Sequence, residues 1–162
     1  VSLINDHGHP VSVKIRLGMN QYEKDRKLYL NNLGGADPDF FVVHPKHAAQ
    51  GSREEADNSV YPECVEAARG IPVIANGGIE TPEMARSLVE MGVGGVMVGR
   101  PAMVNPAIFD HMKNELGVND PPKPVPTPDD LKREYADIYE AIGGSEKYKS
   151  RFLKVVGKAR PH

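Results

Sequence analysis

The sequence predicts an α/β protein: four parallel βα units, half the complement of a (β/α)8 TIM barrel, followed by a short all-helical segment. Three observations carry this. Apolar runs begin near residues 11, 40, 71 and 95, and that spacing is about one βα unit. Each run gives way to turn residues and then to a stretch with helical periodicity. The core must come from Val, Ile, Leu, Ala and Met, because the chain has four Phe, six Tyr and no Trp; such a palette suits parallel strands covered by helices better than a β-sandwich. A closed barrel takes about 250 residues, so 162 residues cannot close one alone.

Taken in order, the first strand is expected over 11–17 and a helix over 22–33, where Leu28, Leu30 and Leu33 stand among Glu23, Lys24, Asp25, Arg26 and Lys27. A second strand over 40–44 and a helix over 60–69 follow. The third strand spans 71–75 and its helix 81–91, with Thr81 as N-cap, Pro82 at the first helical position and Glu83 in the first turn. The fourth strand covers 95–99, and its helix 106–116. Prolines at 121, 122, 124, 126 and 128 stiffen the next stretch and remove backbone donors, the mark of a linker. Beyond it, 129–142 and 147–158 read as helices broken by Gly143 and Gly144. The expected organisation is therefore a half-barrel over 1–118, a linker over 119–128 and a helical part over 129–162.

A formal net charge of -2 does not announce a nucleic-acid binder, nor does it exclude one. The tail concentrates Lys147, Lys149, Arg151, Lys154, Lys158 and Arg160 against Glu146, either a solvated helix face or an RNA contact. The one cysteine, Cys64, leaves no internal disulfide framework and no cysteine zinc cluster, which fits a reducing, cytoplasmic setting. No run of about eighteen apolar residues offers a membrane span. The chain opens on Val1 rather than Met and enters a strand pattern almost at once, so we expect that sequence has been removed before it.

In a barrel, ligands meet the carboxyl ends of the strands, and here those ends are polar. Alternation puts Lys14 and Arg16 on one face of the first strand, with Val13, Ile15 and Leu17 on the other. Two charges facing a barrel interior need an anionic ligand or a carboxylate; the plainer alternative is a pair of surface charges on an edge strand. The second run ends in His44, Pro45, Lys46 and His47, which could hydrogen-bond a polar ring, neutralise a phosphate, or simply sit in an exposed loop. No other cluster has the spacing of metal ligands, so no metal site is expected. The third run ends in Asn76, Gly77 and Gly78 and the fourth in Gly99 and Arg100. Glycine amides and a guanidinium at these places suit a phosphate, which barrels commonly bind after strands 7 and 8. Cys64 falls inside a helix, where a small packing residue is expected.

Together these strings resemble the tRNA-dihydrouridine synthase family. The likeness comprises Val13-Lys14-Ile15-Arg16-Leu17-Gly18, Val43-His44-Pro45-Lys46 with Gln50, Ile71 through Ile79, and Val96-Met97-Val98-Gly99-Arg100 followed by Asn105-Pro106 and Phe109. The resemblance implies the C-terminal half of an FMN-binding TIM barrel plus the start of a helical tRNA-binding domain over 129–162. It implies that Lys14 and His44 contact the flavin ring of FMN, and that Asn76, Gly77 and Gly78, with Gly99 and Arg100, hold its ribityl phosphate. Arg16, Lys46 and His47 would face the tRNA substrate. Lys46 stands where members often carry arginine, whose planar fork lysine lacks. The implied chemistry is a flavoprotein's: NADPH reduces FMN, a hydride passes to C6 of a flipped-out uracil, and a cysteine acid protonates C5. The family's cysteine loop, Asn-x-Gly-Cys-Pro, has no counterpart here, so no catalytic residue is expected in this chain. A fragment inactive by itself is the expectation, with open sheet edges that invite self-association. The alternatives are another phosphate-binding TIM-barrel flavoenzyme, or a non-catalytic RNA-binding or assembly module.

Overall fold

The computed structural model describes Ile4, Asp6 and residues 8–51 and 53–158; Val1, and Arg160 of the basic tail, lie outside the described residues. The chain divides into two compact units, one of Val1–Ile79 with Met84–Val98, the other of Glu80–Glu83 with Gly99–His162.

The first unit is built on a four-stranded parallel sheet: β1 (Ser12–Arg16), β2 (Phe40–His44), β3 (Val73–Asn76) and β4 (Gly95–Met97), in the spatial order β1-β2-β3-β4. Each strand pairs with its neighbour in sequence and none is inserted out of turn. A barrel wall is walked in this way, whereas a doubly wound sheet reverses at a switch point. The α/β half-barrel class expected from the sequence is thus what the chain forms. Pro72 has no amide hydrogen, so the third ladder starts with Val73, and the Pro72 carbonyl accepts from Phe41 N at 2.9 Å.

The registers Lys14↔Val42↔Ile74↔Gly95 and Arg16↔His44, with Asn76↔Met97, sort the sheet into two faces. Phe41, Val43, Val73 and Ala75 lie on the covered face and are buried, as are Tyr29, Leu33, Tyr61, Cys64 and Leu88 from the helices. Full burial of each large apolar side chain stabilises by about 1.5–3 kcal/mol. On the open face, Ser12, Lys14 and Arg16 are exposed, and Phe40 and Met97 remain 36% and 39% exposed.

The helix expected over 22–33 is two helices, α1 (Gln21–Asp25) and α2 (Tyr29–Gly35), separated by Lys27 at φ 52°. Local propensity favoured one helix. Tertiary ion pairs favour the break, for Lys24 binds Asp57 at 2.7 Å and Lys27 binds Glu63. The Asn20 side chain accepts from Glu23 N at 3.0 Å and caps α1. After β2, a 3-10 turn (Asn58–Val60) leads into α3 (Tyr61–Ala67), and after β3 comes α4 (Pro82–Glu90), which opens on Pro82 as expected.

The second unit contains α5 (Arg100–Val104), α6 (Ile108–Glu115), α7 (Pro128–Ala141) and α8 (Glu146–Val155). Asn114 ties down the segment between α6 and α7: it donates to Lys123 O at 2.7 Å and accepts from Lys123 N at 3.0 Å. Thr127 and Asp130 form a reciprocal capping box that starts α7. Tyr135 stacks on Phe152 between α7 and α8 with ring centroids 3.7 Å apart. Among the described residues, no helix is long and apolar enough to cross a membrane.

Candidate functional site

Strand alternation delivers Lys14, Arg16, His44 and Asn76 to the open face near the carboxyl ends of β1, β2 and β3. Lys14 reaches over β2 and donates from Nζ to Asn76 Oδ1 at 2.7 Å, with Met97 Sδ 3.8 Å away. Asn76 in turn donates from Nδ2 to Met97 O at 2.9 Å. One amide therefore ties β1 to β4 across the width of the sheet. Asn76 belongs to β3 itself, not to the turn after it, and its position is set by the ladder.

His44 occupies the middle of this group. Its Nδ1 is buried without a hydrogen-bond partner among the described residues. Burial first, then the charges of Arg16, Lys14 and Lys46, push its pKa below the usual imidazole value. The ring is therefore neutral near pH 7, with one N–H donor and one acceptor nitrogen. Gly77 is what lets the ring fit: a Cβ there would lie 2.8 Å from His44 Nε2, and the backbone stands at φ 108°. Gly78, at φ 68°, has nothing within 4 Å of a Cβ position and so presents open backbone.

The remaining predicted residues are placed differently. Arg16 donates to His47 O at 3.2 Å and stays exposed. Lys46 and His47, read from the sequence as substrate contacts, are only 7% and 9% exposed. Lys46 is turned back into its own loop, where Nζ donates to Gly51 O at 3.2 Å and to Glu54 O. The physical reason is that a buried ammonium must be surrounded by acceptors, and the carbonyls of that loop supply them. His47 N donates to Gln50 Oε1 at 2.9 Å, and its Nδ1 is buried without a partner among the described residues. Gly99 and Arg100 belong to the second unit, as N-cap and first residue of α5, and both are exposed. Cys64 is fully buried, and burial pushes its thiol up to about 12; it is a packing residue, as expected. No group of three or more His, Cys, Asp or Glu side chains able to hold a metal occurs among the described residues.

Sequence reading missed Tyr61 and Met97. The Tyr61 hydroxyl meets the main chain of both β2 and β3, a tertiary contact with no local signature. Met97 could have been found, since the alternation that pairs Lys14 with Arg16 also turns Met97 to the open face.

The family model described as "Dihydrouridine synthase (Dus)" matches residues 2–159. The chain belongs to the tRNA-dihydrouridine synthase family. Within that family it is 36% identical over 111 residues to a probable tRNA-dihydrouridine synthase of Treponema pallidum, covering 66% of this chain and 33% of that one. It is 33% identical over 119 residues to the probable synthase of Aquifex aeolicus, covering 73% and 37%. Against tRNA-dihydrouridine synthase B of Vibrio cholerae it is 32% identical over 127 residues, covering 76% and 39%. The chain thus spans about a third of the length of these synthases.

Proposed function

We propose that this chain is the C-terminal, flavin-holding portion of a cytoplasmic tRNA-dihydrouridine synthase, an oxidoreductase that reduces uridine in tRNA to 5,6-dihydrouridine. The observation that carries this reading is the Lys14–Asn76 hydrogen bond at 2.7 Å, which fixes a cation on the open face beside His44. The donor set fits FMN. An ammonium, a neutral imidazole with an unpartnered buried Nδ1 and the open backbone at Gly78 offer complements to a polar ring and a phosphate. Lys14 and His44 would hold the flavin ring, and Asn76, Gly77 and Gly78 would hold the ribityl phosphate. When bound, FMN supplies the hydride for the uracil ring, with NADPH as the source of reducing equivalents.

The chain's own residues then divide the work. Lys14 stabilises negative charge on whatever ligand atom it touches, and Asn76 keeps Lys14 in place. His44 presents a neutral ring without adding charge. Arg16, exposed at the end of β1, would meet the tRNA, while Lys46 shapes its loop. The basic tail is partly committed within the protein, because Lys149 pairs with Glu140 at 2.6 Å; Lys147, Arg151 and Lys154 are exposed and would carry any tRNA contact from the helical part. Cys64 cannot act as the proton donor: it is buried in α3 with its thiol held well above its ordinary pKa. The acid must come from outside this chain, so the chain alone forms no dihydrouridine. The open edges of β1 and β4 would also permit self-association.

Titrating the chain with FMN and reading flavin fluorescence tests the site. Saturable quenching is expected, with Lys14→Ala weakening affinity about tenfold, as loss of one charged hydrogen bond does. Unaltered affinity in Lys14→Ala would refute the site. Incubation with unmodified tRNA and reduced FMN should yield no dihydrouridine, and turnover by the chain alone would refute the missing-acid argument.

A further inference from the structure

We propose that Tyr61 is a positioning residue for the open-face cluster: its hydroxyl clamps the last rung between β2 and β3 and so sets the relation of the His44 and Asn76 side chains. The β2–β3 register ends at Val43↔Ala75, which in a parallel ladder puts Asn76 N–H and Val43 C=O at the terminal rung. The Tyr61 hydroxyl meets both partners of that rung. It accepts from Asn76 N at 3.1 Å and donates to Val43 O at 3.1 Å, with Asn76 O at 3.4 Å as the alternative acceptor. His44 follows Val43 directly, and Asn76 is the residue whose side chain binds both Lys14 and Met97. One buried hydroxyl therefore governs two residues of the site, His44 and Asn76.

The need for a clamp follows from what lies beyond. Gly77 and Gly78 leave the strand at φ 108° and φ 68°, so no further rung holds the ends of β2 and β3 together, and terminal rungs fray. Tyr61 is well placed to resist this. It is 0% exposed and opens α3, next to buried Val60 and Cys64. The preceding turn is anchored to β2's own loop by Asp57 N donating to Pro45 O at 2.9 Å, and to α1 by the Lys24–Asp57 pair at 2.7 Å. Burial raises the phenol's pKa, so the hydroxyl keeps the proton it donates. Tyr61 does not reach the open face; it acts through Asn76 and His44.

Tyr61→Phe keeps the ring and removes only the hydroxyl. Two readouts on the whole chain separate this inference from the flavin reading, on which only the second depends. The first is amide hydrogen exchange: Asn76 N–H should exchange at least about tenfold faster, while Phe41 N–H, deeper in the same ladder, is unchanged. The second is FMN affinity, which should fall about tenfold. Cys64→Ala, which opens space in the same helix–sheet interface without touching the rung, is the control and should leave both readouts within twofold. Unchanged Asn76 exchange in Tyr61→Phe overturns the clamp. Faster exchange with unchanged FMN affinity, or equal affinity losses in Tyr61→Phe and Cys64→Ala, overturns the positioning role. If the wild-type chain takes up no FMN, the flavin reading fails while Asn76 exchange still decides the clamp.

Discussion

Replacing Gly77 with alanine probes the closest approach in the site. Two costs add. At φ 108° an L-residue is strained, at about 1–2 kcal/mol. The new methyl group would also sit 2.8 Å from His44 Nε2 and 3.0 Å from His44 Cδ2, a clash with a half-buried ring beside fixed neighbours, and overpacking of that kind costs about 1–3 kcal/mol. The expected loss is therefore about 2–5 kcal/mol, which at a urea slope of about 2 kcal/mol/M lowers the unfolding midpoint by about 1–2.5 M. Gly78→Ala is the matched control. It has a positive φ of 68° but nothing within 4 Å, so only backbone strain of about 1 kcal/mol applies. Urea titrations followed by far-UV circular dichroism measure both. Midpoints for the two variants that agree within about 0.3 M, corresponding to about 0.5 kcal/mol, would show that His44 does not pack against Gly77.

Three other outcomes follow. His44 has a native pKa below its unfolded value near 6.5, so the unfolded chain binds more protons as pH falls through that range; stability should decline from pH 7 toward pH 5, and His44→Gln should flatten the decline in urea midpoints measured across it. Native Cys64, fully buried with its thiol pushed up to about 12, should resist iodoacetamide at pH 8 and react only in urea, and rapid stoichiometric labelling of the folded chain by mass spectrometry would contradict the packing. Thr127→Ala removes the capping box at the start of α7 and should cost about 1 kcal/mol, read as a lower melting temperature with less helical ellipticity; an unchanged melt would mean that the cap contributes nothing.

What the sequence disclosed was whatever depends on short-range periodicity. Lys14 and Arg16 share a face because side chains alternate along a strand, and their placement needed no other part of the chain. Pro82 marks a helix start through backbone chemistry that is likewise local. The rest depends on contacts that strand and helix periodicity do not encode. Lys27 adopts a left-handed backbone inside what reads as one amphipathic helix, with its side chain paired to Glu63, 36 residues away. Lys46 stands at a strand end and looked available, yet a loop folding back on itself consumes its donors. Arg100 was read as a loop guanidinium, although Pro101 behind it was a usable sign of a helix start. The role of Tyr61 was hidden because its partners, Val43 and Asn76, lie in two different strands.

The strand order has a consequence for how the chain acquires its shape. Every pairing in the sheet joins a strand to the next one synthesised, so no segment waits for a partner far downstream. Joining strands adjacent in sequence closes shorter loops than joining remote ones, so less chain entropy is lost before the contacts form. A nascent chain can dock β2 on β1 and then β3 on β2 as each emerges from the ribosome, and the Lys14–Asn76 bridge can close once the third strand is out.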